Sequence, residues 1–127
     1  MKNDSHLTKA VEDYLEAIYL LEIKNGNDSI KSVDVANLLK VSKPAVAKAT
    51  DELLQKGYIE KDPYGKIKLT SKGTEIGKSV YGVHLTLKEY LMKELGVSES
   101  TAEEDCCKIE HIISNETLKA IRNKLKK

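Results

Sequence analysis

The sequence has no tryptophan and no phenylalanine, and six tyrosines supply all of its aromatic mass. It has no apolar run near the ~18 residues that a membrane-spanning helix needs, which excludes a membrane partner of that kind. Residues Met1 to His6 lead into no signal-type apolar segment, so a cytoplasmic protein is expected. There is no glycine-rich phosphate loop and no base other than metal-type donors, so neither an enzyme nor a small-molecule substrate is expected. Net charge is only +1 over 127 residues, so any nucleic-acid footprint has to be local. Cysteine is confined to Cys106 and Cys107. Adjacent residues on a helix point about 100° apart, which argues against a disulfide between them. In a reducing compartment such thiols serve as core, metal ligand or redox group. What is present, 40% apolar residues, suffices for one compact domain or two very small ones.

Apolar positions Val11, Tyr14, Leu15, Ile18 and Leu21 recur at three and four, predicting a helix from Leu7 to about Lys24. Asn25-Gly26-Asn27-Asp28 ends it. Asp13 and Glu16 share one face beside that stripe. Ser32 reads as the N-cap of a short helix over 33–39, and Lys40-Val41 as a tight connection. Ser42 reads as the N-cap of a second helix to about Lys56, with Pro44 in its first turn. Two short helices so joined have helix-turn-helix spacing. Val35, Leu38, Val41, Val46, Ala49 and Leu53 are its expected core. Tyr58–Lys61 and Lys66–Leu69 then alternate as strands around Asp62-Pro63-Tyr64-Gly65, which is turn chemistry. The order predicts a winged helix. A long helix follows from Thr70 to Leu95, stopped by Gly96, then two helices capped by Ser98 and Ser114. The fold class is mainly α: an N-terminal winged helix-turn-helix with a two-stranded wing over 1–72, followed by an all-helical domain over 73–127.

Positive charge gathers in the first part. From Lys40 to Lys72 there are eight lysines against four acids, as phosphate binding requires. The N-terminal end of a recognition helix is the end that enters a major groove. The candidate DNA-contacting residues are therefore Ser42, Lys43, Pro44, Ala45, Ala47 and Lys48, with Tyr64, Lys66 and Lys68 on the wing. Ala45 and Ala47 are small enough to meet thymine methyls. The single arginine, Arg122, lies far from this region, so bidentate arginine–guanine readout is absent and specificity falls to lysine, water and DNA shape.

The second part carries Glu103-Glu104-Asp105-Cys106-Cys107-Lys108-Ile109-Glu110-His111. As a helix it would put Glu103, Cys107, Glu110 and His111 on one face. Thiol, carboxylate and imidazole are transition-metal donors. They are too few to close a site, so partners must come from elsewhere. Cys106 falls off that face and reads as core or interface. The alternative is a thiol switch at Cys106 and Cys107, which the acidic neighbours disfavour by raising the thiol pKa.

The sequence resembles the metal-dependent repressors of the diphtheria-toxin-repressor and manganese-transport-regulator family over nearly its whole length. The resemblance rests on Glu12-Asp13-Tyr14-Leu15-Glu16-Ala17-Ile18-Tyr19, Val41-Ser42-Lys43-Pro44-Ala45-Val46, Gly57-Tyr58-Ile59, Leu69-Thr70-Ser71-Lys72-Gly73, His84, and the segment from Cys107 to Ser114. It implies a metal site of Asp13, Glu16, His84, Cys107, Glu110 and His111 between the DNA-reading and dimerisation halves. It also implies a homodimer that represses metal-ion homeostasis genes from a near-palindromic double-stranded operator when metal is plentiful. Asp13 is the manganese-type choice at its position and Cys107 the iron-type choice at its own. A thiolate favours Fe²⁺, Co²⁺, Ni²⁺ or Zn²⁺. Fe²⁺ is the expected effector, with Mn²⁺ as the alternative and Co²⁺, Ni²⁺ or Zn²⁺ as substitutes in vitro. Lys88 replaces a family carboxylate, so the ancillary metal of the iron-type members is not expected. Six donors leave a two-metal site of the manganese type open. The SH3-like third domain of longer members is not expected in a sequence of this length.

Overall fold

A computed structural model of the chain describes residues 7–26 and 29–127; Asn27 and Asp28, read from the sequence as part of the first break, lie outside the described residues. The elements are α1 (Lys9–Asn25), α2 (Ser32–Leu39), α3 (Lys43–Gln55), β1 (Ile59–Lys61), β2 (Ile67–Leu69), α4 (Ser71–Lys93), α5 (Glu99–Ile109) and α6 (Asn115–Leu125). This is a mainly helical chain with a winged helix-turn-helix at its N-terminal end. It divides into two compact units, up to Lys78 and from Ser79 onward. No helix among the described residues is long and apolar enough to cross a membrane.

In the first unit, Thr8 caps α1 by accepting from the Val11 amide at 3.2 Å, and Gly26 ends it with φ 88°. Val11, Leu15, Ile18 and Leu21 are buried, as the stripe predicts. At α2 the sequence reading needs correction. Ser32 is already helical, and Lys31 occupies the cap position. The Lys31 amide donates to Asp34 Oδ2 at 2.8 Å, so the capping carboxylate reaches back from the third helical residue. The turn after α2 places Lys40 in the left-handed region, φ 58°. Ser42 caps α3 by accepting from the Ala45 amide at 3.2 Å. Val35, Val46 and Leu53 form the expected core, but Leu38 and Val41 are exposed. The buried arc of α2 is centred between Val35 and Ala36, which turns Leu38 outward.

β1 and β2 pair antiparallel, Ile59 with Leu69 and Lys61 with Ile67. Asp62 shapes the wing tip: its Oδ1 accepts from the Tyr64 and Lys66 amides at 2.9 and 2.8 Å. Two long-range bonds fix β2. The Ile67 amide donates to the Ile30 carbonyl at 2.8 Å, and the Leu69 amide donates to Glu22 Oε2 at 2.8 Å. α4 starts hard against this framework. A Cβ on Gly73 would stand 2.0 Å from the Tyr58 carbonyl oxygen, and one on Gly77 2.6 Å from that of Leu15.

In the second unit, Ser98 and Ser114 cap α5 and α6 through the Thr101 and Thr117 amides, as the sequence predicts. Val83, Leu87, Cys106, Ile113 and Leu118 form the core, edged by Leu91, Ile109 and Ile121. Ile113 and Leu118 are buried. Ile112 remains 81% exposed. It lines an apolar concavity of about 460 Å³ with Leu87, Tyr90, Leu91, Ile109 and Ile121.

Candidate metal centre and nucleic-acid interface

The DNA-reading candidates stand on one short stretch and one hairpin. Ser42, Lys43, Pro44, Ala45, Ala47 and Lys48 are all exposed at the start of α3. The Ser42 hydroxyl is engaged as the cap, so its role there is to hold the helix end. Tyr64 is 85% exposed at the wing tip. Lys68 is exposed and Lys66 half-buried. None of the ion pairs among the described residues engages Lys43, Lys48, Lys66 or Lys68. Their charge is thus left for an external anion.

The metal-type donors are placed differently. In the first unit, Asp13 and Glu16 lie one turn apart on α1, both half-buried, and Asp13 Oδ2 meets Lys9 Nζ at 2.8 Å. In the second unit, α4 carries His84, which is buried. Its Nδ1 is 2.7 Å from Glu110 Oε1, and its Nε2 is 3.0 Å from Glu103 Oε2. The expectation of one continuous helical face needs correction. α5 ends at Ile109, Glu110 is its C-cap and His111 lies beyond it. The turn still brings His111 Nε2 to 3.7 Å from Glu110 Oε2. Cys107 is at the rim, its Sγ 3.9 Å from His84 Nδ1.

Two residues outside the expected set join this cluster. Glu103 bridges His84 to Lys88, whose Nζ lies 3.0 Å from Glu103 Oε1. Cys106 belongs to the core, as expected, yet its Sγ also lies 3.5 Å from His84 Nδ1. The signal is spacing by four, Glu103 to Cys107 and Cys106 to Glu110.

Charge is concentrated where water is scarce. Burial pushes the Cys106 thiol up to about 11 and the Cys107 thiol to about 12, with the Glu103 and Glu110 carboxylates adding to both. Burial also raises Glu103, but its hydrogen bond to Lys88 and the charge on His84 outweigh it and hold that carboxyl below its usual range. Glu110 Oε2 is buried with no hydrogen-bond partner among the described residues. A buried carboxylate oxygen left unsatisfied is costly, and a cation would satisfy it. Imidazole, carboxylate and thiol around that oxygen are the donors a divalent first-row ion takes, so the residues present fit such an ion.

Comparison with known proteins bears on both surfaces. The family model of the iron-dependent repressor N-terminal DNA-binding domain matches residues 6–67, and that of the iron-dependent repressor metal-binding and dimerisation domain matches residues 70–127. The chain belongs to the iron-dependent repressor family. It is a metal-dependent transcriptional regulator of that family and not an enzyme. An uncharacterised HTH-type transcriptional regulator of Methanocaldococcus jannaschii is 40% identical over 91% of this chain and 92% of its own length. The transcriptional regulator MntR of Salmonella typhimurium is 34% identical over 92% of this chain and 73% of its own. The solved structure of the manganese regulator SloR superposes with a TM-score of 0.80 at 28% identity, over 94% of this chain and 55% of that one. The chain thus spans about half the length of that solved structure.

Proposed function

We propose that this iron-dependent repressor family member is a cytoplasmic homodimer that represses metal-ion homeostasis genes. It binds a near-palindromic double-stranded operator when a divalent cation is held by Asp13, Glu16, His84, Cys107, Glu110 and His111. Fe²⁺ is the preferred effector and Mn²⁺ the alternative. The observation that carries this reading is the buried Glu110 carboxylate, with one oxygen on His84 and the other without a hydrogen-bond partner among the described residues.

When bound, the ion supplies positive charge that the oxygen, nitrogen and sulfur donors share. The protein's own part is positional. His84 and Glu110 orient one another, Cys107 adds a thiolate, and Asp13 and Glu16 contribute from α1. Donors drawn from residues 1–72 and 73–127 make occupancy favour one arrangement of the DNA-reading and dimerising parts. Affinity for the ion is then linked to affinity for DNA. Lys43, Lys48, Lys66 and Lys68 meet phosphates, Ala45 and Ala47 approach base edges, and Tyr64 reaches from the wing. The apolar concavity around Ile112 supports dimerisation.

The experiment is operator binding by the wild type and His111→Ala with Fe²⁺, with Mn²⁺ and with chelator. The reading expects cation-dependent binding that His111→Ala loses. Binding unchanged by chelator, or a full metal response in His111→Ala, contradicts it. The thiol-switch alternative is disfavoured by the raised thiols, because the reactive form is the thiolate.

A further inference from the structure

Four donors converge within the second unit in a set that differs from the regulatory one. Glu103, Cys106 and Cys107 lie within one turn of α5, and His84 meets them from α4. Cys106 Sγ is 3.5 Å from His84 Nδ1 and 3.6 Å from Nε2. Cys107 Sγ is 3.6 Å from Glu103 Oε2. One ligand atom from each of the four lies within 4.8 Å of the other three.

We propose that His84, Glu103, Cys106 and Cys107 form a thiophilic cation site contained in residues 79–127, taking Zn²⁺, Cd²⁺ or Co²⁺ in four-coordinate form. Two sulfurs, one nitrogen and one oxygen are a tetrahedral donor set for such ions. Bond lengths of about 2.0 Å to nitrogen or oxygen and 2.3 Å to sulfur place tetrahedral donors roughly 3.3–3.8 Å apart. The four atoms therefore need to close by only about 1 Å. Binding releases the two thiol protons to solvent and joins both sulfurs to the ion.

Charge supports this site. Two thiolates and one carboxylate exceed a dication by one negative charge. The Lys88 ammonium, 3.0 Å from Glu103 Oε1 and 3.6 Å from Glu99 Oε2, supplies the balance. Access supports it too, because Cys107 is exposed while Cys106 and His84 are buried. The site needs nothing from α1. His84 and Cys107 are common to both sets, so an ion seated here withdraws them from the regulatory set; that consequence, unlike the site, rests on the function proposed above. An ion seated here, unlike one held by the six-donor set, is then bound without promoting operator binding.

The test uses the full chain carrying Asp13→Ala and Glu16→Ala, titrated anaerobically with Co²⁺ and followed by absorbance. The site predicts sulfur-to-cobalt charge transfer and intense tetrahedral bands that Zn²⁺ displaces. Cys106→Ser in this background loses part of the charge-transfer intensity. Because that residue is in the core, Glu103→Gln provides a second variant at a partly exposed position. It should weaken Co²⁺ and Zn²⁺ by at least about 10- to 100-fold. A weak octahedral spectrum without charge transfer overturns the proposal, as does a spectrum and affinity that both variants leave unchanged. Loss of cation-dependent operator binding in the Asp13/Glu16 background is what the regulatory reading expects, so the two ideas fail separately.

Discussion

The two units solve opposite problems with polar groups. In the first, the candidate DNA-contacting side chains are largely exposed, and other polar groups are satisfied locally or by single long-range bonds, as with Ser42, Asp62 and Glu22. In the second, His84 and Glu110 are buried, Glu103 and Lys88 half-buried, and the members share one another: Glu110 and Glu103 both lean on His84, and Lys88 leans on Glu103. A surface that meets a polyanion can wait in water, because its charge is needed only at the rim. A cluster that holds a cation has to be desolvated beforehand, so it carries unfavourable energy until the ion arrives.

The largest contrast should come from one deletion in each unit. His84→Ala leaves Glu110 buried without its partner. It should cost about 3–5 kcal/mol by denaturant unfolding, as well as the cation response. Lys43→Ala should change stability by less than about 0.5 kcal/mol. Equal effects would erase the distinction. Next is Gly73→Val, which drives a Cβ into the Tyr58 carbonyl. It should cost about 3 kcal/mol or more, and hydrogen exchange should show protection lost from β1 and the start of α4 first. Ser42→Ala should cost about 1 kcal/mol through loss of the α3 cap; no change would mean the cap is replaced by water. If Lys43, Lys48, Lys66 and Lys68 meet phosphates as proposed, removing any one of them should reduce the salt slope of DNA binding by about 1.

The smallest expected effect concerns pH. Glu103 is held low, so the stability it contributes is present above about pH 4.3, the ordinary carboxylate value, and is lost as pH falls through its lower folded value. The Cys106 and Cys107 thiols are held high. Their contribution is present below about pH 8.5 and is lost as pH rises toward their folded values, because the unfolded thiols ionise first. Alkylation of the metal-free protein at pH 7 should be slower than that of free cysteine. Faster alkylation would revive the thiol switch.

Most of the fold was legible because its signals are local. Ser42, Ser98 and Ser114 announce helix starts, Asp62-Pro63-Tyr64-Gly65 announces the wing, and the α1 stripe announces its buried face. What was missed depends on tertiary placement. Glu22 reaches β2 across 47 residues, and no pattern in α1 marks it. Lys31 rather than Ser32 stands at the α2 cap because Asp34 satisfies the backbone from inside the helix. Leu38 is apolar yet exposed, since a two-turn helix buries a narrow arc, and Val41 is exposed in the connection between α2 and α3. In the candidate site, His84 and Glu110 were readable from donor type and order. The end of α5 at Ile109 was not, nor was the approach of the core residue Cys106 to His84; Glu103 was legible on the donor face, but its bridge from His84 to Lys88 was not.

The central claim is that a divalent cation controls DNA affinity. The direct measurement is an anaerobic titration of the metal-free full chain with Fe²⁺ and then Mn²⁺, using a duplex selected from random sequence by the metal-loaded protein. The account predicts an affinity gain on the order of 5- to 150-fold, reversed by chelator. The same affinity with and without the ion would contradict it.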